Sequence, residues 1–175
     1  MTDMLNKTEM RPVIGLMSGT SADGIDGCIL LTDGQHVKHT DISLSQPYPG
    51  PVEKAIQARR DPASFLADPQ RRTALINAIT DSHADSAYHL LRRAAEEGLP
   101  AVHLCGFHGQ TVYHQPDAGR TIQLGDGNRL AQLCGLPVIY DFRRADMEAG
   151  GQGAPLAPVY HQILLSQAGC PHPAG

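Results

Sequence analysis

Apolar residues along this chain follow two rhythms. Between residues 12 and 44 they come in short runs of strand length, 12–17, 25–32 and 37–44, the last alternating in part through Val37, Ile42 and Leu44. Such runs, bounded by turn residues, predict strands. A polar, glycine-rich segment joins the first two, and Asp33-Gly34, a hairpin dipeptide, joins the second and third. Three antiparallel strands are therefore expected before any helix. Residues 47–51 break the pattern, and 52–60 predicts a short helix stopped near Asp61-Pro62. The second rhythm starts at Asp68-Pro69, a fitting N-cap and first helical residue. Leu75, Ile76, Ile79, His83, Ala87, Leu90, Leu91 and Ala94 then recur at three- and four-residue steps, one apolar face of a long helix that Gly98 ends.

Farther along, 101–107 predicts a strand entering a loop at His108, 121–124 a short strand, 128–134 a short helix ended by Gly135, and 138–142 a buried strand. The stretch 149–158, rich in glycine and proline, reads as loop, and 159–167 as the start of a helix. The succession predicts an α/β fold, a mixed sheet opening with three antiparallel strands and carrying helices on its faces. Residues 1–11 read as a flexible lead-in, 12–165 as one lobe, and 166–175 as a small, polar, proline-rich tail.

Composition narrows the function classes. A chain of 175 residues can bury a core without disulfides. The net charge is -4, and the basic residues are scattered in pairs (Arg59-Arg60, Arg71-Arg72, Arg92-Arg93, Arg143-Arg144) rather than set in a stripe, which argues against nucleic acid. No apolar run approaches a membrane span. MTDMLNKTEMR at the start is polar and has no signal-peptide core, so a cytoplasmic protein with reduced thiols is expected. Cys28, Cys105, Cys134 and Cys170 are far apart and form no Cys-x-x-Cys pair, which argues against a zinc ribbon or a thioredoxin motif.

The segment GLMSGTSADGID, residues 15–26, concentrates candidate chemistry in Gly19, Thr20, Ser21, Asp23, Gly24 and Asp26. Glycine permits positive φ and close approach of a ligand to the amides. Successive N–H groups in such a turn form a concavity suited to an anion. The hydroxyls can bond phosphate oxygens, and a carboxylate such as Asp23 can hold Mg²⁺ through water. The spacing matches neither the P-loop nor Gly-x-Gly-x-x-Gly opening a helix. Taken by residue type alone, an ordinary hairpin turn explains the segment equally well. His103, His108 and His114 invite a metal reading, but strand alternation sends His103 and His108 to opposite faces, so a packed histidine at 103 and ligand hydrogen bonds near 108 are expected instead.

GLMSGTSADGID resembles the phosphate-binding hairpin of the anhydro-N-acetylmuramic acid kinases, a branch of the actin-like, hexokinase-like ATPase superfamily. Three further stretches are similar to that family in order: GFHGQTVYHQP at 106–116, IQLGDGNRLAQLCGLPVIYDFR at 122–143 and AGGQGAPLAPVYHQ at 149–162. The resemblance implies an actin-like (ribonuclease H-like) lobe, ATP and Mg²⁺ as cofactors, and an amino-sugar substrate. The family reaction opens the 1,6-anhydro ring of anhydro-N-acetylmuramic acid with water and places a phosphoryl group on O6, in cell-wall recycling. In that frame His108, Gln110 and Thr111 can bond hydroxyl or acetamido groups, or form a plain polar turn. Asp126 can orient a sugar hydroxyl, cap the helix behind it, or do both. Arg143, after a strand on the side where open α/β sheets bind ligands, can clamp a lactyl carboxylate or a phosphate, or pair with a neighbouring aspartate.

The sequence also departs from the family. Family chains are roughly twice as long, with ATP between two lobes, and their base is an aspartate in a later Gly-Phe-Asp-x-Gly-Pro-Gly-Asn stretch. Here SQAGCPHPAG follows Leu165. The expectation is therefore the N-terminal lobe of such a kinase, as a fragmentary chain, with no residue able to take the base role. A homodimer or a C-terminal lobe would be its partner. The alternative is a non-catalytic lobe that binds sugar or phosphate.

Overall fold

The computed structural model describes residues 9–58, 68–115, 120–154 and 157–169. Strands β1 (Arg11–Ser18), β2 (Gly24–Thr32) and β3 (Val37–Pro47) form the expected antiparallel meander. Alternation decides which residues meet the core. Ile14, Leu16 and Ser18 on β1 and Ile25 and Ile29 on β2 are buried, whereas Met17 and Asp26 face outward. Between β2 and β3, Asp33 Oδ1 accepts from the N–H groups of Gln35 and His36, and Gly34 takes a φ of +92°. That is the chemistry for which Asp-Gly suits a hairpin.

Helix α1 (Gly50–Gln57) begins two residues before the expected start, with Pro51 in its first turn, where a missing N–H costs nothing. Its expected stop at Asp61-Pro62 lies outside the described residues. Helix α2 (Pro69–Glu96) follows its pattern closely. Asp68 Oδ1 accepts from the Arg71 N–H at 3.0 Å, and Leu75, Ile79, His83, Ala87, Leu90 and Ala94 are buried in the core with Ile14, Ile29, Ile42 and Phe107.

The next strand differs from expectation. A loop was expected at His108, yet β4 runs Leu104–Gln115, straight through His108-Gly109-Gln110-Thr111. The reason is a bulge. Leu16 pairs with Phe107 and Ser18 with Gln110, which puts one extra residue on β4 at His108-Gly109. Gly109 takes a φ of +72°, and a Cβ there would lie 2.7 Å from the Leu124 carbonyl oxygen. Glycine marks the bulge, not the end of the strand. Before it β4 runs parallel to β1 and to β6 (Val138–Tyr140); after it β4 pairs antiparallel with β5 (Arg120–Leu124).

Helix α3 (Gly127–Cys134) lies between β5 and β6. Strand β6 is shorter than the expected 138–142, because Asp141, at φ +66°, turns the chain into α4 (Phe142–Glu148), a helix the pattern did not predict. Phe142 covers Gly106 on the sheet face away from α2. Helix α5 (Ala157–Gln167) returns to the sheet edge, where Tyr160 and His39 share a 2.9 Å hydrogen bond. The Gln167 amide pairs with both the N–H and the carbonyl of Val37.

The sheet order is β3-β2-β1-β4-β5, with β6 also on β4. Three antiparallel strands, then β4 parallel to β1 and to β6 and antiparallel to β5, with helices packed on the sheet, make the expected α/β lobe with a mixed sheet. Among the described residues no helix is long and apolar enough to cross a membrane, and Cys28, Cys105 and Cys134 are free thiols. Cys170 and the rest of 170–175 lie outside the described residues, as do residues 1–8.

Candidate functional site

The polar segment between β1 and β2 closes as a turn in which the Ala22 N–H donates to the Gly19 carbonyl at 3.2 Å. Its glycines do not serve the positive φ that glycine suggests. Gly19 and Gly24 have ordinary dihedrals, and the left-handed residue is Ala22, at φ +60°. Gly24 is there for space: a Cβ on it would sit 2.6 Å from the carbonyl oxygen of Gln46 on β3. Thr20, Ser21, Asp23 and Asp26 are all exposed. Ser21 Oγ donates to Asp23 Oδ1 at 2.8 Å, so hydroxyl and carboxylate stand together at the tip. Asp26 belongs to a different surface. It lies on the outer sheet face, in a groove of about 810 Å³ with Met17, Cys28, Ser43 and Phe142.

The bulge in β4 divides the His108–Thr111 tetrapeptide. His108 turns outward, where its Nε2 accepts from Arg143 Nε at 2.9 Å. Its Nδ1 lies 3.0 Å from the Gly109 carbonyl, so Nδ1 carries the proton. Burial, with the nearby Arg143 guanidinium adding to it, holds the imidazole below its ordinary pKa and keeps it neutral. Gln110 turns inward. It has no exposed surface, and its amide is engaged by Ser18, Gly19 and Thr111, so it faces no ligand in the way expected of it. Thr111 is likewise buried, with its Oγ1 unpartnered.

Arg143 and Arg144 take different roles. The Arg–Asp pair that stiffens the loop forms between Arg144 and Asp141, leaving Arg143 to His108. Asp126 caps α3, its Oδ1 accepting from the N–H groups of Asn128 and Arg129 at 2.9 and 3.0 Å. His103 is exposed rather than packed, with Nε2 3.2 Å from Arg11 Nη1. Strand β4 begins only at Leu104, so His103 gains no cover from the sheet.

A cavity of about 330 Å³ joins several of these groups. His108 and Gly125 line it, as do Asp141 and Arg144. Thr121, Gln123 and Tyr140 line it too and were not anticipated. The signal for the first two was their period of two on β5, which puts both on one face. The 19–26 turn does not open into this cavity. Thr20 of the turn instead lines a separate cavity of about 260 Å³ with Ile56, Thr111 and Val112, and Gln110, two residues beyond His108, bonds the Gly19 carbonyl.

An anhydro-N-acetylmuramic acid kinase of Gluconobacter oxydans is 46% identical over 155 residues, covering 88% of this chain and 42% of its own length. Kinases of the same description from Rhizobium etli and Bradyrhizobium diazoefficiens are 43% and 44% identical, over 90% and 89% of this chain. The chain spans 42–44% of the length of these relatives. A crystal structure of an exopolyphosphatase-like protein is similar over 79% of this chain and 34% of its own, with a TM-score of 0.40 and 10% identity. The family model for anhydro-N-acetylmuramic acid kinase matches residues 11–171, a span that takes in every element from β1 to α5, the turn, the bulged strand and the His108–Arg143 pair. On that extent the chain belongs to the anhydro-N-acetylmuramic acid kinase family.

Proposed function

We propose that residues 12–165 form the lobe of a sugar kinase that holds the phosphates of ATP and one side of a 1,6-anhydro amino sugar. The observation that carries this reading is the family match over residues 11–171. The reaction of the whole enzyme is ring opening by water with transfer of a phosphoryl group from ATP to O6. Transfer of this kind is accelerated mainly by positioning and charge neutralisation. In this reading the 19–26 turn supplies the positioning for the phosphates. Thr20 and Ser21 bring hydroxyls, and Gly19 leaves the backbone open to close approach, while Gly24 lets the turn close against β3.

Mg²⁺, when bound with ATP, neutralises phosphate charge. It is held as a rule by one or two carboxylates together with phosphate oxygens and water. Asp23 fits that set, being exposed and oriented by Ser21. On the sugar side, His108 offers a neutral ring and Arg143 the rest of its guanidinium for the lactyl carboxylate. Asp126 keeps an oxygen for a hydroxyl while Oδ1 caps α3, and Thr111, a sugar-side residue by its motif, lines a cavity with Thr20 beside the turn. We assign the base to no residue of this chain. Asp141 pairs with Arg144, and Asp146 accepts from the Gly153 N–H. A cytoplasmic setting, where ATP is available, is part of the reading.

The test is Mg·ATP binding by calorimetry to the parent chain and to a Thr20→Val, Asp23→Asn variant. The variant is expected to bind at least about tenfold more weakly, a loss of about 1.4 kcal/mol. Equal binding by the two removes the turn as the phosphate site.

A further inference from the structure

The most constrained polar group near the 19–26 turn is a side chain that does not face the solvent. Gln110 is fully buried on β4, immediately after the bulge. Its Nε2 donates to two carbonyls, that of Gly19 at 2.6 Å and that of Thr111 at 2.9 Å. Two carbonyl partners settle which end of the amide is nitrogen. The other end, Oε1, accepts from Ser18 Oγ at 2.5 Å, and that hydroxyl lies 2.7 Å from the Gly24 carbonyl. One amide on β4 thus holds the start of the turn directly, at Gly19, while near the other end Gln110 Oε1 and the Gly24 carbonyl share the single proton of Ser18.

The same Gly19 carbonyl accepts the Ala22 N–H that closes the turn. Holding that carbonyl fixes the turn from outside its own backbone. The turn needs such a hold, because it keeps Ala22 in a left-handed conformation that costs an L-residue on the order of 1–2 kcal/mol. The bulge makes the hold available, since it shifts the alternation by one residue and lets Gln110 meet Ser18 while His108 faces the Arg143 side.

We infer that Gln110 is a positioning residue, whose buried amide sets the geometry of the 19–26 turn for phosphate without touching the ligand. The inference rests on reading that turn as the phosphate site. Its predicted signature is local: loss of the amide loosens the turn and weakens nucleotide binding, while the core under α2 stays closed.

The experiment compares the parent chain with Gln110→Met, which keeps length and burial but has no donor or acceptor of comparable strength. Two readouts are taken: amide hydrogen exchange, and calorimetric affinity for Mg·ATP. In Gln110→Met, exchange at residues 20–22 is expected to accelerate with exchange at Ile79 and Leu90 unchanged, and affinity to fall about tenfold. A purely structural role would speed the core amides together with the turn. If Gln110→Met does not fold by circular dichroism, Ser18→Ala, which removes the hydroxyl serving Oε1, is read the same way. Parent-like affinity and parent-like turn exchange overturn the inference alone, as does acceleration spread through the core. Absence of Mg·ATP binding by the folded parent overturns the phosphate reading, and this role with it. Binding by the parent that is lost in Thr20→Val, Asp23→Asn but kept in Gln110→Met retains the site and removes Gln110 from it.

Discussion

Replacing His83 by phenylalanine is expected to flatten the acid side of the protein's stability curve. His83 lies on the buried face of α2, its ring edge-to-face with Phe107 at 4.9 Å and with Tyr48 at 6.0 Å between centroids. Nδ1 is 2.8 Å from the Ile79 carbonyl, and Nε2 has no partner. Burial is the main force on this ring and holds its pKa down to about 4, against 6.5 for a free histidine. Below 6.5 the unfolded chain therefore takes up a proton that the folded ring refuses. The stabilisation is full above 6.5, falls as the pH drops, and levels off below about 4. With those two values the loss from this residue is about 2 kcal/mol at pH 5, a large share of the roughly 5–15 kcal/mol that holds a domain together. Phenylalanine keeps the aromatic packing and cannot titrate. His108 shifts in the same direction, so the parent loses stability from more than one site, and only the difference between parent and variant isolates His83. Urea unfolding at intervals from pH 5 to pH 8 supplies both curves. Parallel curves for parent and variant would show that the buried ring is not the group that titrates.

Two further outcomes follow from single contacts. Gly24→Ala places a methyl 2.6 Å from the Gln46 carbonyl oxygen and 3.2 Å from the Pro47 Cα, backbone atoms that cannot rotate away, so a loss of about 1–3 kcal/mol is expected in thermal melts; an unchanged melting temperature would show that β3 moves freely there. Arg143→Leu removes the cation that adds to the desolvation of His108, so the imidazole is expected to titrate at higher pH than in the parent, as read from its carbon-bound proton by NMR; a titration that stays put or moves downward would show that Arg143 does not act on the ring.

What the sequence determined by itself was the part of the fold written in neighbouring residues. Asp68 and Pro69 begin α2, and its three- and four-residue rhythm names the buried face, because helix caps and periodicity depend on residues within a turn or two of one another. Asp33-Gly34 sets the β2–β3 hairpin for the same reason. The segment 19–26 was legible as a polar, glycine-rich turn between two strands, although the residue carrying its left-handed φ was not, since Ala22 has no sequence mark of it.

Tertiary structure decided the rest. His108 looked like the start of a loop, and only pairing with β1 across the bulge, with β6 before it and with β5 after it carries β4 through. That bulge sends His108 and Gln110, two residues apart, to different tasks. Gln110 reaches a serine 92 positions earlier, and His108 an arginine 35 positions later. Which of Arg143 and Arg144 meets Asp141 depends on where α4 begins, which a left-handed Asp141 sets and no local preference announces. Side-chain direction in a site is a property of packed strands and helices, and periodicity loses count of it as soon as one strand gains a residue that its neighbour lacks.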